Sequence, residues 1–256
     1  MATKESPIRC SGESTFWNDF RLDCAVLSAA ATGRPHNEDQ CVFAAPGSPE
    51  AEAAETGYLF AVIDGATEGG KGRSAARETA TSLLEILDDP RRVELRPDLM
   101  LYRLQDANDR CHRFIEGRCA ATAVWIWEEP ASSSLVASWV HVGDTRLYHH
   151  GRAGWKCLTK DHAKGRILDR AVGQGPGLTV DSGRLELQPG ERLVLASDGV
   201  WKSAPPGSVL SAESFPTAAD SVRLLVGNAR LNGSRDDTSA IVIAVRTIDA
   251  GPEPEH

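Results

Sequence analysis

Apolar residues in this chain fall into short blocks that break on aspartate or glycine. The clearest block runs Tyr58-Leu59-Phe60-Ala61-Val62-Ile63 and closes on Asp64-Gly65. Beta-branched and aromatic residues in an unbroken run suit a buried strand, and Gly65 permits a sharp turn at its end. Asp64 is therefore expected at the rim of a sheet. The same pattern returns where Arg192 to Ala196 leads into Ser197-Asp198-Gly199, and where Trp139 to Val142 leads into Gly143-Asp144. Asp236-Asp237 stands just before the apolar run from Ser239 to Val245. Rim carboxylates with no obvious basic partners beside them repel one another, and a bound cation removes that cost. The stretches are read as one metal site assembled from distant segments.

The other elements follow from period and punctuation. Leu22 to Ala29 and Gln40 to Ala45 read as strands around a polar turn from Thr32 to Asp39. Ala45 to Gly57 is rich in Ala, Glu, Pro and Gly and reads as a solvated loop. Phe16, Trp17 and Phe20 are expected to pack on the body. After the glycine-rich stretch Thr67 to Gly72, the spacing of Ala75, Ala76, Ala80, Leu83, Leu84 and Leu87 predicts a helix. A second helix is expected from Pro97, with Leu101, Leu104, Cys111 and Ile115 as its stripe and Gly117 as its stop. Ala120 to Trp127 and Leu135 to Val142 read as a hairpin, as do Arg146 to His150 and Trp155 to Leu158. Trp125, Trp127 and Trp139 alternate as strand residues in core or layer contacts. Pro176-Gly177 and Pro189-Gly190 punctuate the approach to the strand ending at Asp198. Ala218 to Ala229 reads as a late helix, and Ser239 to Val245 as the last strand. Paired central helices among strands suggest segregated layers. One domain is expected over 1–246, with 1–21 its least defined part and 247–256 a flexible tail.

Composition narrows the function classes. The chain has 256 residues, 41% hydrophobic and 25% charged, enough for one well-filled domain. A formal net charge of -8 speaks against a nucleic-acid partner. The six cysteines are scattered, with no Cys-x-x-Cys pair or zinc spacing, as expected for reduced thiols. No signal core or bilayer-length apolar run stands in the sequence, so the expected location is the cytoplasm, with no membrane partner. Thr67 to Gly72 lacks the Lys-Ser/Thr ending of a nucleotide loop, and no elbow motif surrounds Ser197. His149-His150 reads as hairpin surface.

The motifs together resemble the type 2C metal-dependent Ser/Thr protein phosphatases, the PPM family. In family order they are Arg34-x-x-Asn37-Glu38-Asp39, Ala61-Val62-Ile63-Asp64-Gly65, Ala121-Thr122-Ala123, Gly143-Asp144-Thr145-Arg146, Leu158-Thr159-x-Asp161-His162, Ala196-Ser197-Asp198-Gly199-Val200-Trp201 and Arg235-Asp236-Asp237-Thr238-Ser239. The resemblance spans Leu22 to Val245. It implies an α+β fold, a four-layer αββα sandwich of two antiparallel sheets with helices on the outer faces. It also implies two Mg2+ or Mn2+ ions, with Asp64 bridging them. The Gly65 carbonyl would bind one ion, with Glu38 holding its water, and Asp198 and Asp236 the other. Asp144 resembles a ligand of a third, looser cation. Arg34 would clamp the phosphate. The implied reaction is hydrolysis of phosphoserine and phosphothreonine in proteins by a metal-bridging water, without a phosphoenzyme, in opposition to a Ser/Thr kinase pathway. The alternatives are a catalytically weak member that binds and regulates a phosphoprotein, and a phosphatase for a small metabolite. Asp144 also has a purely structural reading, as a salt-bridge partner of Arg146.

Three positions depart from the family pattern. Ala66 stands where many members carry a histidine proposed as general acid; His36 and His162 are the substitutes considered. Asp237 replaces the usual asparagine and is expected to bind metal or to raise the pKa of Asp236. Only Ala163-Lys164-Gly165-Arg166 remains where the family inserts a flap, which predicts an open cleft with Lys164 and Arg166 at its entrance.

Overall fold

The run Tyr58–Gly65 is a central strand, β5 in chain order, and in the computed structural model both of its faces are covered. The structure describes residues 8–10, 15–19, 21–45, 57–67, 69–92, 94, 96–132, 134–165, 167–210 and 217–247. The packing of Phe20, the Trp17 side chain, residues 46–56 of the expected loop, Arg166 and the tail from 248 lie outside the described residues. Phe16 rests on the outside of the body, partly exposed, with the Arg223 guanidinium 4.7 Å from its ring centroid.

The strands are β1 (Ile8–Cys10), β2 (Thr15–Asn18), β3 (Leu22–Ala29), β4 (Gln40–Ala44), β5, β6 (Cys119–Glu128), β7 (Leu135–Val142), β8 (Arg146–Gly151), β9 (Gly154–Cys157), β10 (Ala163–Lys164), β11 (Ile167–Leu168), β12 (Asp181–Leu187), β13 (Arg192–Ala196) and β14 (Thr238–Val245). They form two six-stranded antiparallel sheets, ordered β1-β4-β5-β6-β7-β12 and β2-β3-β14-β13-β8-β9, and a small β10-β11 hairpin. The helices are α1 (Gly72–Leu84), α2 (Arg96–Arg110), the short α3 (Asp198–Trp201) and α4 (Pro206–Val209), and α5 (Ala218–Leu231).

Side chains on β5 alternate between two cores. Tyr58, Phe60 and Val62 meet Leu193, Leu195, Ile241 and Ile243 across the seam between the sheets. Leu59, Ala61 and Ile63 pack against Leu83 of α1 and Leu99 and Leu104 of α2. On the second sheet, Ala25, Val194 and Val242 face away from the seam and meet Val222, Leu225 and Val226 of α5. The order helix, sheet, sheet, helix is the four-layer α+β sandwich. Phe43 stands opposite Phe60 in register, their rings edge to face at 5.2 Å, a contact worth about 0.5–1.5 kcal/mol beyond area burial. Trp125 and Trp127 belong to the helix-side core, while Trp139 packs at the seam. Among the described residues no helix is long and apolar enough to cross a membrane.

Several boundaries differ from the pattern-based expectation. The first helix ends at Leu84 and tightens into a 3-10 turn, Glu85–Asp88. The second begins at Arg96, continues past Arg110 as a π turn, Cys111–Ile115, and stops at Glu116, whose φ is 57°, not at Gly117. Asp198 opens α3; the strand before it has already stopped at Ala196. Strand β12 was not expected. It is an edge strand paired only to β7, and its side chains are mostly exposed or half-buried, so no apolar run marks it.

Candidate active site

Period two along β5 places Asp64 on the same face as Tyr58, Phe60 and Val62, at the end of the seam. Antiparallel pairing brings other strand ends to that edge. Ala196 of β13 lies opposite Ala240 of β14, so Asp198 and Asp236 emerge side by side. Val142 of β7 lies opposite Ala121 of β6, itself paired to Ile63, so Asp144 emerges near Asp64. Asp64, Asp144, Asp198 and Asp236 line one cleft of about 500 Å³, together with Arg34 and Gly65. Glu38 sits at its edge, accepting a hydrogen bond from Thr67 Oγ1 at 2.7 Å.

Two glycines make this convergence possible. A Cβ on Gly199 would lie 2.0 Å from the Asp237 carbonyl oxygen, so only glycine lets α3 start against the Asp236 segment. Gly143 has φ +99°, and a Cβ there would lie 2.3 Å from the Cβ of Ala120.

The gathered carboxyls hold one another's protons. Burial pushes Asp64 well above the usual carboxylate range, and Asp39, Asp198, Asp144 and Asp236 add to it. Burial and then Asp198 push Asp144 up to about 6, against the opposing pull of Lys202. Asp236 is raised by the same two causes, with a smaller part from Asp237. Two cations answer part of this charge. Arg34 Nη1 lies 3.3 Å from both Glu38 Oε2 and Asp236 Oδ1. Lys202 Nζ lies 2.5 Å from Asp198 Oδ2 and 3.8 Å from Asp144 Oδ2. Burial pulls the Lys202 pKa down, but Asp198, Asp144 and Asp64 outweigh it and the net direction is up.

The donor set fits a hard divalent cation. It is all oxygen, the chemistry that magnesium and manganese prefer. Asp198 Oδ1 is buried and has no hydrogen-bond partner, which leaves an acceptor for an ion. Among the described residues no three His, Cys, Asp or Glu side chains are yet drawn together into a finished ligand cage. The carboxylates stand around the cleft, with Arg34 and Lys202 paired to them.

The structure corrects four expectations from the sequence. Asp237 does not line the cleft; its Oδ1 accepts from the Ala31 amide at 2.6 Å and its Oδ2 from the Glu38 amide at 2.7 Å. Arg146 does not pair with Asp144. Its fork holds Asp161 through two 2.8 Å bonds, and its guanidinium stacks 3.4 Å from the Trp201 ring centroid. Trp201 Nε1 in turn donates to the Asp144 carbonyl at 2.9 Å. His162 does not line the cleft; its Nε2 meets Asp181 Oδ2 at 3.0 Å, and its Nδ1 accepts from the Gly143 amide at 3.3 Å. His36 is exposed and also off the cleft. Lys164, 85% exposed, pairs with Asp169 on the short hairpin, while Leu168 of that hairpin reaches the cleft wall.

Three further residues belong to the site. Asp39 lies buried behind the cleft, accepts from Ser239 Oγ at 2.6 Å, and is raised to about 8, mainly by burial. Arg118 and Lys202 line the cleft. The available signals were the acidic pair Glu38-Asp39 and the four-residue step from Asp198 to Lys202 on a helical turn.

Comparisons with known proteins agree with this fold. A family model described as stage II sporulation protein E (SpoIIE) matches residues 55–246. No curated protein sequence matches the chain significantly. Solved structures share the fold. The serine/threonine phosphatase PstP/Ppp of Mycobacterium tuberculosis is 20% identical, with TM-score 0.71 over 89% of this chain and 100% of that one. The PPM Ser-Thr phosphatase MsPP of Mycobacterium smegmatis, solved with cacodylate, is 25% identical, with TM-score 0.65 over 86% and 97%. A PstP catalytic domain in complex with two manganese ions is 21% identical, with TM-score 0.69 over 89% and 99%.

Proposed function

The chain belongs to the family of stage II sporulation protein E, and from that membership we propose that it is a Mg2+- or Mn2+-dependent phosphatase for phosphoserine and phosphothreonine in proteins. The observation that carries the reading is the set of four carboxyls, Asp64, Asp144, Asp198 and Asp236, facing one cleft with Arg34 at its rim. Asp64, Asp198 and Asp236, with the Gly65 carbonyl and Glu38, would hold a pair of cations. When bound, such ions supply positive charge for phosphoryl oxygens and lower the pKa of water.

The protein's own groups do the rest. Arg34, about one-third exposed beside Asp236, offers a fork for two phosphate oxygens. Asp237 ties the 31–38 segment to the start of β14, which holds Arg34 and Glu38 at the cleft. Two of the nearby serines are committed to structure: Ser234 Oγ donates to the Gly199 carbonyl at 2.8 Å, and Ser197 Oγ to the Asp237 carbonyl at 3.4 Å. Transfer straight to water, with no phosphoenzyme, fits that arrangement. Ala66 presents only a methyl group, and no histidine among the described residues lines the cleft. With no histidine to protonate the departing oxygen, turnover should favour good leaving groups.

Relatives with this fold carry protein-phosphatase names, which supports phosphoproteins from a Ser/Thr kinase pathway as substrates. The short β10-β11 hairpin leaves the cleft accessible to a folded phosphoprotein as well as to a small ester. Cys24, Cys111, Cys119 and Cys157 form no disulfide, which supports a cytoplasmic setting. The test is hydrolysis of p-nitrophenyl phosphate, a phosphothreonine peptide and a phosphorylated metabolite, with manganese and with chelator. Manganese-dependent release from the ester and the peptide, lost in Asp64→Asn, is expected. Folded protein with no metal-dependent release overturns the reading. A preference for the metabolite over the peptide moves the substrate class.

A further inference from the structure

Lys202 is not explained by the reaction just described, yet it occupies one wall of the cleft. It follows α3 directly, four residues after Asp198, and its ammonium reaches two carboxylates from different segments. One is Asp198 Oδ2 at 2.5 Å, and the other is Asp144 Oδ2, carried on the turn after β7, at 3.8 Å. The head group is held in place. Its nitrogen lies 5.2 Å from the Trp201 ring centroid, on an indole pinned by Arg146 stacking at 3.4 Å and by its own bond to the Asp144 carbonyl. The oxygens of Asp198 are thereby divided: Oδ2 goes to the lysine, and buried Oδ1 is left without a partner.

We propose that Lys202 is the resident cation of the Asp144–Asp198 edge: it keeps a further divalent ion out, and makes Asp144 a positioning residue for the lysine instead of a metal ligand. The inference rests on the metal-dependent reading above and deepens it. An ammonium bridging two carboxylates supplies the charge that would otherwise draw an ion to that edge, and it occupies the space between Asp198 Oδ2 and Asp144 Oδ2 that such an ion would need. Asp64, Asp236 and Oδ1 of Asp198 stay available for the catalytic pair. The edge where the sequence pattern suggested a third, looser cation is thus closed by a side chain of the chain itself.

The test is a Mn2+ titration of the full chain, read as bound equivalents by electron paramagnetic resonance of the free ion. The proteins are wild type, Asp144→Asn, Lys202→Met, Lys202→Met/Asp144→Asn and Asp64→Asn. Methionine keeps a long unbranched stem against Trp201 without the charge, and Lys202→Gln is the second variant should Lys202→Met melt early. About two equivalents are expected in wild type, as for a two-metal site, and the same in Asp144→Asn. Lys202→Met should gain about one more, and the double variant should lose it again. Unchanged stoichiometry in both Lys202→Met and Lys202→Gln overturns the proposal. So does an extra ion that survives Asp144→Asn, or a wild type that already holds a third ion lost in Asp144→Asn. These results leave the phosphatase reading standing. Wild type that binds no more Mn2+ than Asp64→Asn overturns both.

Discussion

Arg34 holds its guanidinium 3.3 Å from Glu38 and Asp236, so it is already a charged hydrogen-bond donor at the point where a phosphate would enter. Charge-assisted bonds to a phosphate are worth about 1.5–3 kcal/mol. Arg34→Ala should therefore lower kcat/KM about ten- to a hundredfold, and Arg34→Lys should restore only part, because an ammonium cannot reproduce the fork. Steady-state kinetics on a phosphopeptide decides; an unchanged kcat/KM removes Arg34 from substrate contact. A second single-residue effect belongs to His141. Its Nε2–H donates to the Lys160 carbonyl at 3.1 Å, and its Nδ1 accepts from Thr122 Oγ1 at 2.9 Å, which in turn meets Thr145 Oγ1 at 2.7 Å. Burial, then His162, pushes the folded pKa from 6.5 down to about 4. The unfolded chain takes up this proton below about 6.5 and the folded chain refuses it. The stabilisation is thus complete above that pH and is lost as pH falls towards 4, by at most about 3 kcal/mol. Urea unfolding at several pH values should show a flatter acid limb in His141→Asn than in wild type. Parallel limbs would assign the acid sensitivity elsewhere.

Among the elements, β5, β6, β13 and β14 were legible because each is apolar on both faces, one towards the seam and one towards helices. The same logic exposed the site: Asp64, Asp144, Asp198 and Asp236 interrupt apolar runs, and a charge at the end of a buried strand has few places to be. Strand β12, in contrast, carries Asp-Ser-Gly-Arg-Leu-Glu-Leu on an open edge, so only its pairing with β7 defines it. Lys202 and Asp39 escaped for a related reason, since their roles depend on neighbours distant in sequence. Asp237 was visible as an unusual residue that raises Asp236, but its anchoring of the 31–38 segment was not. Both of its oxygens serve backbone amides of the 31–38 segment, and it is 2% exposed. Asp237→Ala would strand those two amide donors and free the segment that carries Arg34 and Glu38. A loss of about 3 kcal/mol is expected in denaturant unfolding, from two hydrogen bonds to a charged acceptor. Stability within a few tenths of a kcal/mol of wild type would mean that the segment is anchored by something other than Asp237.

Across the whole molecule, the cleft lies where the rims of the two sheets meet, with Asp64 and Asp144 from one sheet and Asp198 and Asp236 from the other. Cations held there would tie the halves of the sandwich together, and chelation would leave the carboxyls in mutual opposition. Binding to the folded state alone stabilises by about 2.7 kcal/mol at a hundredfold excess over Kd. For a domain of this size that corresponds to a Tm rise of roughly 5–10 °C in manganese relative to chelator. The decisive comparison uses Asp64→Asn, because its sign reverses with conditions. In chelator the variant should melt at or above wild type, since an amide removes a buried charge that Asp39, Asp198, Asp144 and Asp236 all oppose. In manganese it should melt well below wild type, having lost a carboxylate that would hold the ions. Differential scanning calorimetry of both proteins under both conditions reads all four values. A variant that falls equally far below wild type with and without metal would make Asp64 a packing residue, and the charge argument for the cleft would fail with it.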